Sequence, residues 1–231
     1  MTLCFRDGRA AILAATLALL PVTVVAGDDG DWQQWSEAFW SQNLGSGFDA
    51  AMRFESRWEE DASRWAYYEV EPMVNWRYSP RWDFSLGYER DERLVPLEEI
   101  AHVPNIAATV KIPRQPWQFP PVLDWRLSNR MRMEFIVPED PQMDWQPLYR
   151  NRTDWEAKWR WGSKEIVPFA FEEWFLNFDR GEITQNRFGV GIGVPIVPHA
   201  MARLYWMRLD EKRGDRWEWH PVVGVQLQFQ F

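Results

Sequence analysis

Apolar and polar side chains alternate along most of this chain with a period of two, the spacing of a β-strand whose two faces meet different surroundings. Residues 216–231 show it most cleanly. Trp217, Trp219, Pro221, Val223, Val225, Leu227, Phe229 and Phe231 fall on one face, against Arg216, Glu218, His220, Val222, Gly224, Gln226, Gln228 and Gln230 on the other. The same rhythm runs through 48–58, 68–78, 82–89, 123–135, 149–161 and 188–194, and returns in 199–209. Residues 167–178 are apolar on both sides except for Glu172, Glu173 and Asn177. Alternation is loose in 32–44, and 91–121 holds six prolines around one short alternating piece, 106–112. Gly45-Ser46-Gly47 and Ser79-Pro80-Arg81 read as tight turns, and Pro72 inside its strand reads as a bulge.

A strand with one apolar face, aromatic residues at both ends and a polar opposite face fits a wall between lipid and a wet lumen. The pattern therefore predicts an all-β fold, an antiparallel transmembrane β-barrel in the outer membrane of a Gram-negative bacterium. Eleven segments can be counted, but single-chain bacterial barrels have an even number of strands. Twelve is the expected count and ten the alternative, with the misplaced segment sought in 32–44 or 91–121.

Composition changes this picture little. A quarter of the residues are charged and mean hydropathy is negative, yet a barrel shows lipid only every second residue and escapes a hydropathy scan. Trp occurs 17 times in 231 residues, and Trp favours sites with one apolar and one wet side. Arg6 and Arg9, the apolar run 10–25 and the tripeptide Val24-Val25-Ala26 fit a signal peptide over 1–26, leaving 27–231 as a single barrel domain. The one cysteine, Cys4, leaves with that leader, so the mature chain is expected to lack a disulfide, a thiolate nucleophile and a cysteine metal site. Formal net charge is −8, which argues against nucleic acid as a partner.

The order of several motifs is similar to that of a family of short Gram-negative outer-membrane barrels catalogued as a domain of unknown function. These are an early Trp-rich strand, a strand with Arg and Glu before a Ser/Tyr-rich one, Gly87-Tyr88, Arg130-Met131-Arg132-Met133-Glu134, the Glu172-Glu173 pair before Phe175, and Asn186-Arg187 opening a glycine-rich strand. The resemblance spans the mature chain and implies fold and location without an activity. The proline-rich segment 103–121 departs from the family pattern, which has a strand with Glu and Arg there.

The chemistry on the wet face centres on two strands. Arg130, Arg132 and Glu134 precede a proline- and acid-rich loop, and Arg152, Asp154, Glu156 and Lys158 follow it. Pairing Glu134 with Arg152, Arg132 with Asp154 and Arg130 with Glu156 sets opposite charges face to face, each worth about 0.2–1 kcal/mol. The same register stacks Met131 on Trp155, Leu127 on Trp159 and Trp125 on Trp161 toward lipid, and long charged chains then narrow or close the lumen. Phe229 and Phe231 are expected to act as the signal read by the outer-membrane assembly machinery. Other expected partners are outer-membrane lipids and lipopolysaccharide, through cations shared with acidic loops at 59–64, 89–99 and 210–216. The chain is expected to be a monomer with no cofactor and no bound metal of its own.

The expected function is a structural barrel or a narrow, charge-lined channel for small solutes. A lipid hydrolase or acyltransferase is the alternative, needing a serine and a histidine base in hydrogen-bond reach. His102 and His199 read as loop or strand-end residues and His220 as lumenal, and no serine sits in a nucleophile elbow. A soluble ligand-binding barrel would need an apolar interior, where this chain places its charges. Gly189-Val190-Gly191-Ile192-Gly193 lacks the strand-then-helix setting of a phosphate loop and reads as small lumenal residues making room for bulky neighbours.

Overall fold

The computed structural model describes residues 31–94, 99–112, 124–161 and 164–231. The expected leader, 1–26, lies outside them. Eleven strands follow one another: β1 (Gln33–Gly45), β2 (Phe48–Glu59), β3 (Arg64–Arg77), β4 (Trp82–Arg93), β5 (Glu99–Ile112), β6 (Asp124–Pro138), β7 (Gln146–Trp161), β8 (Lys164–Asn177), β9 (Glu182–Val197), β10 (Ala200–Arg213) and β11 (Arg216–Gln230). Each pairs antiparallel with the next, and β1 joins β11 to close the barrel.

The β1–β11 seam is parallel, running from Gln33 beside Val222 to Ser41 beside Gln230. An odd number of strands in an up-and-down meander leaves the first and last pointing the same way, so closure has to be parallel. Eleven strands among the described residues replace the twelve expected. The uncertain segments 32–44 and 99–112 are both full strands, and it was the even-number rule that pointed past the count. The end of the barrel that holds the β1–β2, β3–β4 and β9–β10 turns is called the lower rim below, and the opposite end the upper rim.

Prolines obscured β5, yet Pro72 and Pro104 are accommodated without bulging. Pro72 pairs with Met52 on β2, while the β3–β4 ladder passes from Val70–Arg90 to Met73–Gly87 with unchanged register. Pro104 pairs with Tyr88, and the β5–β6 ladder passes from His102–Val137 to Asn105–Glu134 in the same way. A proline lacks the N–H of one ladder bond and is absorbed by leaving it unmade on one side. The expected bulge at Pro72 is therefore not formed; the shift in the β2–β3 ladder falls between Arg57 and Trp58.

Alternation puts one side of each strand on the outside. Met52, Val74, Leu86, Ile106, Val190 and Leu204 are exposed there, Leu86 at 64% and Leu204 at 60%. Aromatic rings gather toward both rims. Phe48 stacks on Trp76 at 6.0 Å and Trp82 on Phe84 at 6.3 Å near the lower rim. Near the upper rim, Trp58 and Trp65 lie 6.3 Å apart and Tyr149 and Trp174 5.4 Å apart. The β1–β2 connection needs left-handed backbone at Gly45, Ser46 and Gly47, as the glycine pair in the sequence suggests. Two acidic stretches read as loops are largely strand: Glu89 to Arg93 belongs to β4 and Asp210 to Arg213 to β10.

Candidate functional site in the lumen

The inward face carries a belt of buried charge that crosses strand after strand. Arg53 on β2 reaches Glu71 on β3 at 2.9 Å and Glu89 on β4 at 3.1 Å, and also pairs with Glu69. Arg132 on β6 contacts Glu71 at 3.0 Å, Glu134 at 2.7 Å and Glu89. Glu134 passes the chain on to Arg150 on β7 at 2.6 Å, and Arg150 to Glu173 on β8 at 3.0 Å. Glu173 is fully buried, with Arg130, Arg187 and Arg152 at 3.5, 3.6 and 3.8 Å. Arg187 lies over the rings of Phe175 and Trp35 at 4.5 and 4.7 Å. Arg57, 4.0 Å from the same Trp35 ring, returns the belt to Glu55 on β2 at 2.6 Å.

Glu69, Glu71 and Glu89 bring carboxylate oxygens within 4.8 Å of one another, an arrangement hard cations use. Here a guanidinium takes that place: Arg53 touches all three carboxylates, and Arg132 touches two. The planar fork of arginine suits several carboxylates at once, which a lysine ammonium would serve less well. Asn105 supports the arrangement by donating to Glu71 Oε1 at 3.0 Å. Gly87 makes room for both, since a Cβ there would come within 2.8 Å of the Asn105 amide and 2.9 Å of Glu71 Oε1.

The rest of the cross-section is filled by apolar and aromatic side chains. Trp35, Phe169, Phe171, Met207, Leu209 and Val222 form one buried cluster with Tyr205 packed against it. Glycines supply the space. A Cβ on Gly224 would lie 1.9 Å from the Tyr205 ring, one on Gly189 2.3 Å from Phe171, and one on Gly191 2.6 Å from Phe169. This agrees with the reading of the glycine-rich strand as clearance for bulky neighbours. Below the belt, a cavity of about 680 Å³ opens toward the lower rim, bordered by Glu37, Arg53, Lys111, Arg126, Arg130, Arg152, Asp154, Glu156, Arg203 and Gln226.

All seven residues expected to form the lumenal charge network face inward, but not in the expected register. Glu134 faces Leu148, Arg132 faces Arg150 and Arg130 faces Arg152, a slide of 152 − 148 = 4 residues. Two arginine pairs therefore stand opposite each other in place of the opposite-charge pairs expected. They are tolerated because their partners come from elsewhere: Glu71, Glu89 and Glu134 for Arg132, and Glu134 and Glu173 for Arg150. The other members pair locally or with different strands, Arg152 with Asp154 at 2.9 Å, Lys158 with Glu165 at 3.8 Å and Glu156 with Arg203. The outward stacking changes with the register. Met131 faces Asn151, Leu127 faces Trp155 and Trp125 faces Ala157.

The two-strand reading missed Arg53, Glu69, Glu71, Glu89, Arg150, Glu173 and Arg187 as members of the network. For all but Glu173, whose segment is apolar on both sides, the signal was present in the polar face of each strand; what joins them is barrel closure, which brings distant strands to one bore. The terminal aromatics sit at the seam. The Phe231 backbone donates to Ser41 O at 3.0 Å and accepts from Asn43 N at 2.9 Å. Phe229 is buried beside Ala200 and Leu227. Among the histidines, His220 faces the lumen opposite Leu209, and His199 stacks on Phe231 at 6.0 Å in the β9–β10 turn. His102 is within β5, not a loop, and points outward to Tyr88 and to Glu139 at 3.0 Å.

No curated protein matches the sequence. Among solved structures the chain is similar to a NanC porin, at 12% identity with a TM-score of 0.46, covering 87% of this chain and 98% of that one. It is also similar to the siderophore receptor PirA from Pseudomonas aeruginosa, at 15% identity with a TM-score of 0.31, covering 78% of this chain and 34% of the receptor. The sequence profile of the family DUF2490, described as protein of unknown function, matches residues 32–220, so the chain belongs to that family.

Proposed function

We propose that this protein is an integral outer-membrane barrel whose bore is shut at mid-height, so that it separates the two sides of the membrane and does not join them by a standing pore. The observation that carries this reading is the filled cross-section. Arg132, Glu134, Arg150, Glu173, Trp35, Met207 and Val222 are all buried, on strands that together surround the bore. A solute path opens only when the belt is displaced, and the gap it then leaves is narrow, charge-lined and fit for small solutes alone. The exposed apolar outer wall supports the membrane location, because side chains such as Leu86, Ile106, Ile192 and Leu204 make a larger apolar surface than a soluble monomer carries. The two aromatic zones fit the interfaces of a bilayer, and outer-membrane lipids with lipopolysaccharide are the natural surroundings.

Two measurements test this. The native protein is expected to leave membranes only with detergent and to migrate differently on gels before and after heating. Liposomes carrying it should swell in isotonic pentose no faster than empty ones, and rapid swelling would contradict the closed bore.

The seam leads to a further expected outcome. Removing Phe231 deletes both backbone hydrogen bonds that it exchanges with β1, at about 0.5–1.5 kcal/mol each, and the proposed assembly signal with them. Outer-membrane levels of the truncated chain should fall, measured by immunoblot of membrane fractions. Unchanged levels would argue against a role for this residue.

A further inference from the structure

The cavity below the belt is rich in cations although the chain is acidic overall. Formal net charge is −8, yet among the described residues six basic and four acidic side chains border this space. Each acidic one is already engaged. Glu71 is held by Arg53 and Arg132, Asp154 by Arg152 and Glu156 by Arg203, while Glu37 accepts from the Gln226 amide. Lys111 pairs with Asp83. The surplus therefore falls on two arginines of β6. Arg126 is exposed and makes no hydrogen bond or ion pair among the described residues. Arg130 reaches Glu173 at 3.5 Å, but that carboxylate also accepts two shorter bonds from Arg150, at 3.0 and 3.3 Å, and has Arg187 at 3.6 Å and Arg152 at 3.8 Å. One carboxylate charge is thus shared by four guanidinium groups. Across the β6–β7 ladder Arg130 faces another cation, Arg152, and across the β5–β6 ladder it faces Thr109.

We infer that this cavity binds a small anion whose carboxylate or phosphate head sits against Arg130. The inference rests on the closed bore proposed above, since the belt makes the cavity a blind vestibule in which a ligand can reside. Arg126 and Arg130 share the inward face of β6, so at about 3.3 Å per residue they stand ~13 Å apart, Arg126 toward the lower rim and Arg130 beside the belt. An anion entering from the lower rim meets Arg126 first and comes to rest at Arg130, where the belt stops it. Guanidinium N–H donors lie in a plane that matches carboxylate and phosphate oxygens, and such charge-assisted bonds are about twice as strong as neutral ones. A cation in the same place would meet unspent positive charge, with the carboxylates already engaged. Thr109 beside Arg130 and Ser128 one inward step along β6 add hydroxyls that make no hydrogen bond among the described residues, and these can donate to the same head or to a polar body. The volume, about 680 Å³, lies within the ~300–1,000 Å³ of small-molecule sites.

Calorimetric titration of the purified protein in detergent tests the site, with citrate and inorganic phosphate as carboxylate and phosphate probes and glucose as the uncharged control. Citrate, phosphate or both should bind at one site per chain, and glucose should not. Arg130→Gln should weaken that binding at least about tenfold, the loss of one charge-assisted bond. Arg126→Gln should weaken it about threefold, because a solvated guanidinium at the mouth contributes less. Arg208→Gln, on the outer wall where Arg208 pairs with Asp210, should leave the affinity unchanged. Arg126 holds no partner among the described residues, so its variant carries the test should Arg130→Gln lose heat-modifiable migration. Failure of both anions to bind a folded, non-conducting barrel, or binding that survives both substitutions at full strength, overturns the site and leaves the closed bore standing. Steady current steps from the native protein overturn the blind vestibule and the closed bore together.

Discussion

Replacing Arg132 by methionine is expected to destabilise the folded barrel by about 3–5 kcal/mol, the range for breaking a buried ion pair from one side. Methionine preserves much of the length and apolar stem but withdraws the guanidinium from Glu71, Glu89 and Glu134, all of which stay buried. Arg53 still reaches Glu71 and Glu89, and Arg150 still reaches Glu134, so the loss is partly cushioned. Arg77, exposed on the lower rim and ion-paired among the described residues with Asp49 alone, provides the contrast: Arg77→Met should cost about 1 kcal/mol or less. Adding Asp154→Arg to an Arg132→Glu variant should restore nothing, because Asp154 pairs with Arg152 and lies opposite Ser128. Thermal unfolding of the refolded barrel in detergent, followed by gel migration or circular dichroism, measures each difference. Rescue by Asp154→Arg would reinstate the abandoned register.

A second large effect is expected at Gly224. A methyl group there would overlap the Tyr205 ring at 1.9 Å, and that ring is wedged by Phe169 and Phe171 with centroids at 6.4 and 5.9 Å. Gly224→Ala should therefore destabilise by about 1–3 kcal/mol, the usual range for overpacking a filled core. Gly193→Ala should be milder, since its nearest neighbour is the flexible end of Met201 at 3.0 Å. Combining Gly224→Ala with Tyr205→Leu should recover part of the loss by opening the space. The same thermal assay reads these variants, and equal effects at Gly224 and Gly193 would contradict the packing of the aromatic cluster.

Side-chain direction was the most legible part of the sequence. Period-two alternation assigns Glu69 and Glu71 inward and Val70 and Val74 outward, as the fold has them, because that geometry is a property of a single strand. Register was less legible. A pairing argument confined to two strands weighs only the residue directly opposite, worth about 0.2–1 kcal/mol, whereas an arginine in a closed bore can reach glutamates two or three strands away. Arg132 therefore faces Arg150 on β7 and still finds Glu71 on β3 and Glu89 on β4. β5 was underestimated because Pro104 resembles a strand breaker, although one missing ladder bond leaves the register intact. The strand count went astray where a general rule about even numbers outweighed the eleven segments visible in the chain. Glu172 stands beside Glu173 in a segment that is apolar on both sides, so only the fold shows that Glu173 is the inward carboxylate and Glu172 the exposed one.

The central claim is that belt and aromatic cluster together shut the bore. Single-channel recording of the purified protein in planar bilayers tests it most directly, with Arg132→Ala and Glu173→Ala variants alongside. The closed-bore account predicts no stable current steps from the native protein in symmetric potassium chloride, and openings only once the belt has been cut. Steady, porin-sized steps from the native protein would contradict it.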